Sequence, residues 1–304
     1  MQKAYIDAIY ELAEKDSNVV LLTADNGTDY DRWFKEDFSD QYFDMGISEC
    51  NMVSAAAGLA SVGKVPFVQT GGAFLSYRAF EFIRNDVCLQ KMNVKIIGTG
   101  SGLSISNLGP THHSTEDIGV LRTIPGLTIL SPCSAREVVE CVKLAYDIEG
   151  PVYIRLGMAS PIGLSSIDIP FTPYKCQCVM DGDVAVVFTT GSILEEAVLA
   201  ANDLLEEGIR IKVVNIHTIK PMNDKEVLEM IGTSKLVISV EEHSTFGGIG
   251  SIISEIMAEN CCSAKLIRMG LKDCFAKGYG SLSDIRANNG LSAEYIKNTI
   301  KNNL

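Results

Sequence analysis

Only a few side chains in the 304-residue sequence could do chemistry by virtue of type and place. Glu49 stands in DMGISECNMVSAAAGLA, where a short extended piece meets a helix rich in Ala and Gly. An acid in the first turn of a helix is stabilised by the backbone dipole, by about 0.3–1 kcal/mol, and needs no further role. Its neighbours Met45, Ile47, Met52 and Val53 are apolar, however. A carboxyl desolvated among such residues has a raised pKa and can hold or share a proton near neutrality. His112 and His113 stand in NLGPTHHSTEDIG, where Pro110 stiffens a loop and Thr115, Glu116 and Asp117 can start the next helix. Adjacent side chains on a loop diverge, so one imidazole is expected to face a cleft and the other to be structural. A group with an ordinary pKa near 6.5 suits proton transfer there. His217 and His243 carry a structural expectation, and no metal ligands are assigned.

Arg155, in VYIRLGM, is a cation at the end of a buried strand, where ligand sites open in parallel α/β sheets. Its planar fork suits phosphate or carboxylate, and the alternative is an ion pair with a neighbouring acid. The stretch AFLSYRAFEFIRNDV offers Phe74, Tyr77, Phe80 and Phe82, mostly core on a helix face, with one or two available to stack on an aromatic ligand. Gly98, Gly100 and Gly102 in VKIIGTGSGLS lack the GxGxxG spacing and the acidic residue of a dinucleotide site, so an active-site loop is the better reading. No phosphate-binding GxxxxGK[ST] occurs, nor the GDG segment with a paired Asn that holds a magnesium diphosphate in thiamine enzymes.

The elements that must position these residues alternate. A helix over residues 2–16 is followed by VVLLTAD, a small-residue helix, VPFVQT, a helix near 76–91, VKIIGTG, a helix from about 115, LTILSP, SAREVVECVKLAYD and VYIRL. Short continuous apolar runs between helices imply a parallel sheet covered on both faces. Periodicity stops around Pro161, Pro170 and Pro173, then resumes with VAVVFTT, SILEEAVLAANDLLEEG, IKVVNI, NDKEVLEMI, KLVISVEE, GGIGSIISEIMAE and AKLIRMGL. The expectation is two α/β domains, 1–158 and 182–304, joined by a linker over 159–181.

Length fits two such domains. With 46% hydrophobic and 21% charged residues, disorder, collagen and coiled coil are excluded. A net charge of -12 offers no basic stripe for nucleic acid or an anionic membrane. Nine Cys without a recurring CxxC read as reduced, mostly buried thiols of a cytoplasmic protein. The charged amino terminus and the lack of about 18 consecutive apolar residues argue against export and membrane spanning.

Taken together, GISECNMVSAAAGLA, FVQTGGAFLSYRAFEFIRNDV, LGPTHHSTEDIGVLRTIPGLTILSP and VVNIHTIKPMN resemble the carboxy-terminal half of transketolase, in particular the small subunit of two-chain transketolases. The resemblance covers essentially the whole chain. It implies a pyrimidine-binding parallel-sheet domain followed by the transketolase C-terminal α/β domain. Glu49 then falls on the glutamate that hydrogen-bonds N1′ of the aminopyrimidine of thiamine diphosphate, a task suited to a carboxyl of raised pKa. Phe74, Tyr77 and Arg78 fall on the wall around that ring. His112 falls on a histidine contacting the donor carbonyl and hydroxyl region, and His113 matches the doubled histidine of the 1-deoxyxylulose 5-phosphate synthase branch. Arg155 and Thr23 fall on sugar-phosphate contacts.

The same resemblance implies that Mg2+ and the diphosphate are held by an amino-terminal partner subunit, in a heterotetramer of two large and two small subunits. The implied reaction transfers a two-carbon ketol unit from a ketose donor to an aldose acceptor. The alternatives are a decarboxylating relative, of synthase or 2-oxoacid dehydrogenase beta type, and a non-catalytic scaffold. Single-chain transketolases carry an aspartate where Leu108 stands, a histidine near Gly100 and an arginine near Gln2, so unphosphorylated, sulfonated or nucleotide-linked ketoses are also open as substrates.

Overall fold

The structure, a computed structural model, describes residues 1–24, 31–158 and 170–304. Helix α1 (Gln2–Ala13) packs Tyr5, Ile6, Ala8, Ile9 and Ala13 inward. It leads into β1 (Val19–Thr23), every residue of which is buried. After α2 (Asp31–Asp37) and β2 (Tyr42–Asp44) come α3 (Glu49–Ser61), β3 (Val65–Gly71), two π-helical turns flanking the short α4 (Phe80–Phe82), and β4 (Lys95–Thr99). The order continues with α5 (Asp117–Leu121), β5 (Thr128–Leu130), α6 (Ala135–Asp147) and β6 (Val152–Leu156). Continuous burial along β1, β4 and β6 is what a parallel sheet covered on both faces requires. One face is covered by α1 and α6, over Ile9, Leu21, Phe67, Ile97 and Ile154. The other is covered by α3 and the π-helical turns, over Leu22, Met52, Val68, Ile83 and Ile96.

The second sheet contains β7 (Gln177–Met180), β8 (Ala185–Thr189), β9 (Ile211–Asn215), β11 (Leu236–Ser244) and β12 (Lys265–Leu271), in the order β12-β11-β8-β9-β7. Helices α7 (Leu194–Glu206), α8 (Asp224–Ile231), α9 (Ile249–Glu259), α10 (Leu282–Asn288) and α11 (Ala293–Lys301) surround it. Strand β7 lies inside the stretch expected to be a linker and pairs antiparallel with β9. The part of that stretch from 159 to 169 lies outside the described residues.

Strand β10 (Thr218–Lys220), although it follows β9 in the chain, joins the first sheet, antiparallel to β5. The first sheet therefore reads β10-β5-β6-β4-β3-β1-β2. One apolar core accordingly runs through both domains, from Val68 and Tyr153 to Phe188, Val214 and Ile249. At the opposite end of β4 from the cleft described below, burial pushes the Lys95 ammonium down to about 7. Its Nζ donates to Asn93 Oδ1, Ile148 O and Gly150 O at 2.5, 2.6 and 2.9 Å. Among the described residues no helix is long and apolar enough to cross a membrane.

Candidate active site

Ligands of parallel sheets gather beyond the carboxyl ends of the strands, because the chain turns there and leaves a crevice. Here Ala24, Gly71, Thr99 and Met158, at or just past the ends of β1, β3, β4 and β6, line a cleft of about 470 Å³. Glu49, Phe74, Arg78 and His112 open onto it as well, with Gln2, Ile47, Thr70, Ile105 and Leu108 completing the wall.

Glu49 opens α3, where the dipole favours its charge. Its side chain is 3% exposed, so the desolvation expected from its apolar neighbours is present. It also has a partner: Arg78 Nη1 donates to Glu49 Oε2 at 2.7 Å. Arg78 comes from the π-helical turn Phe74–Arg78, a geometry that recurs at functional sites because it re-aims side chains. The turn sets the Arg78 guanidinium 5.1 Å from the centre of the Phe74 ring. His112 meets the same ring edge-on, with centroids 5.3 Å apart. Thr111 Oγ1 engages His112 Nδ1 at 2.9 Å, which leaves Nε2 as the nitrogen available to a ligand.

Four other expected residues do not line the cleft. Tyr77 turns away on the π-helical turn and donates its hydroxyl to Glu116 Oε2 at 2.6 Å, accepting from the Glu116 amide in return. Thr23 is buried with its hydroxyl 3.0 Å from Tyr42 Oη, and it is the next residue, Ala24, that reaches the cleft. His113 diverges from His112, is 2% exposed, and has a pKa lowered by burial. That divergence is the one expected of adjacent loop residues, and it leaves His113, carried over with His112 as a catalytic candidate from the resemblance, outside the cleft lining.

Arg155 is the largest correction. Its Nε lies 2.9 Å from Asp117 Oδ2, and its Nη2 donates to Ser114 O and Glu242 O. Tyr153 donates to the same Asp117 carboxylate at 3.0 Å. Arg155 is 3% exposed and Asp117 0%, so this cation closes the seam between the two domains and the ion-pair alternative holds. Across that seam His243 Nε2 accepts from the Gly119 amide, while within the second domain Glu242 accepts from Arg286 Nε at 2.5 Å.

The sequence reading missed Thr70, Gly71, Ile105 and Met158 as wall residues, whereas Thr99 lies in the segment VKIIGTGSGLS already read as an active-site loop. Their signal was present, since most of them end or follow strands already recognised as parallel. Among the described residues no group of three His, Cys, Asp or Glu converges on a metal-sized site.

A buried carboxylate at one end, an aromatic ring beside it and an imidazole across that ring fit a flat nitrogen heterocycle, and nothing in the described cleft fits a metal-bound diphosphate. Residues 1–159 match the family described as transketolase, pyrimidine binding domain, and residues 175–296 the one described as transketolase, C-terminal domain. The chain belongs to the transketolase family. An apulose-4-phosphate transketolase subunit of Phocaeicola vulgatus is 35% identical over 98% of this chain and 95% of its own length. A 6-deoxy-6-sulfo-D-fructose transketolase subunit of a Clostridium species is 33% identical over 97% and 92%. A 1-deoxy-D-xylulose-5-phosphate synthase of Chlorobium luteolum is 34% identical over 99% of this chain but only 48% of its own. Among solved structures, a split gene transketolase described as an inactive beta4 tetramer superposes with a TM-score of 0.88 at 33% identity, over 99% of this chain and 96% of the other. This chain is a transketolase-family subunit of two α/β domains.

Proposed function

We propose that this chain is the small subunit of a split, thiamine-diphosphate-dependent transketolase that moves a two-carbon ketol unit from a ketose to an aldose. The observation that carries the reading is the buried Glu49 carboxylate facing a cleft shared with Phe74 and His112. Glu49 would hold the ring nitrogen of the aminopyrimidine, and Phe74 would pack against the ring. Arg78, half-exposed and paired with Glu49, is the side chain that shares this wall and can move toward solvent. When bound, thiamine diphosphate supplies the electron sink for breaking and making carbon–carbon bonds. His112 takes a proton from the donor hydroxyl as the bond breaks and returns it to the acceptor oxygen as the new bond forms. Ile47, Ile105 and Leu108 give this cleft an apolar wall.

The diphosphate and Mg2+ are assigned to a partner subunit, in a heterotetramer of two large and two small chains. The names of two relatives, one acting on a sulfonated ketose and the other on a phosphorylated one, support an anionic ketose as donor. Calorimetric titration of thiamine diphosphate with magnesium into the chain, alone and with its large subunit, tests the reading. Binding only by the assembled pair is expected. Binding by neither, or equally tight binding by this chain alone, would overturn it. Pyruvate consumption with carbon dioxide release in place of ketol transfer would move the chain to the synthase branch.

A further inference from the structure

The loop carrying His112 is closed on itself at its base. The Gly102 amide donates to Ser114 O at 3.1 Å, and the Ser114 amide donates back to Gly102 O at 3.0 Å. Between these residues the loop supplies Ile105, Leu108 and His112 to the cleft. Much of what touches it comes from the second domain. Ser106 Oγ donates to Gly280 O at 2.7 Å. A Cβ on Gly102 would lie 2.6 Å from Glu242 Cβ, and a Cβ on Gly109 would lie 2.4 Å from Tyr279 Cε1. Gly109 starts the turn that ends at His112, whose amide donates to Gly109 O at 2.9 Å. A glycine is required at 109 on two counts, a φ of +77° and the tyrosine ring lying directly over its Cα.

We propose that Tyr279 is a positioning residue for His112, through which the C-terminal domain sets the geometry of the catalytic loop. Tyr279 is 68% exposed, so its ring contributes little to either core. It is nevertheless presented rigidly. On one side the Lys277 amide donates to Asn289 Oδ1, and Asn289 Nδ2 donates to Lys277 O. On the other, Ser281 forms a capping box with Asp284 at the start of α10. The flanking glycines, Gly278 at φ +90° and Gly280 at φ +136°, allow the chain between these anchors to project the ring outward. An exposed aromatic fixed at both ends and laid on the backbone of a cleft loop restrains that loop at one place. A displacement of about 1 Å in a reacting group is enough to cost on the order of 100-fold in rate.

Only the kinetic part of the test rests on the transketolase reading. The full chain is prepared as wild type, Tyr279→Ala, Tyr279→Phe and Ser106→Ala. Hydrogen exchange is followed by mass spectrometry, and the four histidine resonances by NMR. His112 carries its own reporter, because the Phe74 ring 5.3 Å away shifts its ring protons. In Tyr279→Ala, residues 103–112 should exchange about ten-fold faster or more. The His112 resonance should lose its ring-current shift while His217 keeps its position. Ser106→Ala should move both in the same direction, and Tyr279→Phe should restore wild-type behaviour because the ring, not the hydroxyl, covers Gly109. With the large subunit, Tyr279→Ala should lower kcat by about ten-fold with unchanged thiamine diphosphate affinity. Unchanged exchange and an unchanged His112 resonance in Tyr279→Ala would overturn the proposal, as would equal shifts of all four histidines. Absence of transferase activity in the wild-type complex, with the exchange result intact, would instead overturn the functional reading.

Discussion

Two arginine–carboxylate pairs of similar geometry do opposite work in this chain. Arg78 reaches Glu49 at 2.7 Å in the cleft, and Arg155 reaches Asp117 at 2.9 Å in the seam between the domains. What separates them is what surrounds the guanidinium. Arg155 is enclosed and also donates to two backbone carbonyls from different domains, so moving it would strand a buried charge and its acceptors. Arg78 is 51% exposed and can exchange its carboxylate for water at small cost. An ion pair at the end of a strand therefore says little about function until its accessible side is known.

This contrast can be broken by substitution, and the largest effects come first. Glu49→Gln should lower turnover of the assembled enzyme by about 10² to 10⁴-fold. Its urea midpoint should stay near that of wild type, and an equally large stability loss would erase the distinction between cleft and seam. Asp117→Ala should do the reverse, costing about 3–5 kcal/mol of stability by leaving Arg155 buried and unpaired. Equilibrium urea unfolding reads that loss directly.

A smaller effect sharpens the seam side. Burial lowers the pKa values of His113 and His217 below the ordinary 6.5. As pH falls through about 6.5 the unfolded chain takes up protons that the folded chain refuses, so stability must fall on acidification and is fully present above that value. The limiting slope is about 1.4 kcal/mol per pH unit for each histidine. His113→Asn and His217→Asn should each flatten the dependence of the urea midpoint between pH 7.5 and 5.5, and slopes identical to wild type would reject this account. The smallest effect belongs to Arg78→Ala, which should cost about 1 kcal/mol, less than Asp117→Ala, because the buried Glu49 carboxylate that it leaves unpaired keeps the favourable dipole at the start of α3. Thermal unfolding of the full chain would reveal a larger loss.

Much of the fold was legible because its signals are local. Buried parallel strands such as VVLLT and VYIRL announce themselves as continuous apolar runs, and α3 by its small residues and first-turn acid. The three-residue strands β2, β5 and β10 are too short for periodicity to identify their partners, and nothing local in NIHTIK says that β10 leaves its own sheet for another. Glu49, Phe74, Arg78 and His112, singled out by their types and neighbours, do line one cleft. Arg155 and Tyr77 were misplaced for the same physical reason. Their partners, Asp117 and Glu116, sit in the helix-start cluster of a distant segment, and only the folded chain shows which acid meets which base. The role of Tyr279 has no sequence signal at all, because it depends on a contact between domains.

The excursion of β10 into the first sheet bears on how this chain is made. Strand β5 leaves the ribosome well before Thr218–Lys220, the segment that will cover its edge. At about 5–20 residues per second, that edge stays unpaired for several seconds of translation. During that interval the nascent first domain exposes an unpaired strand edge. A protein truncated between the two domains would keep the open edge permanently, with its backbone donors and acceptors free to recruit strands from other copies.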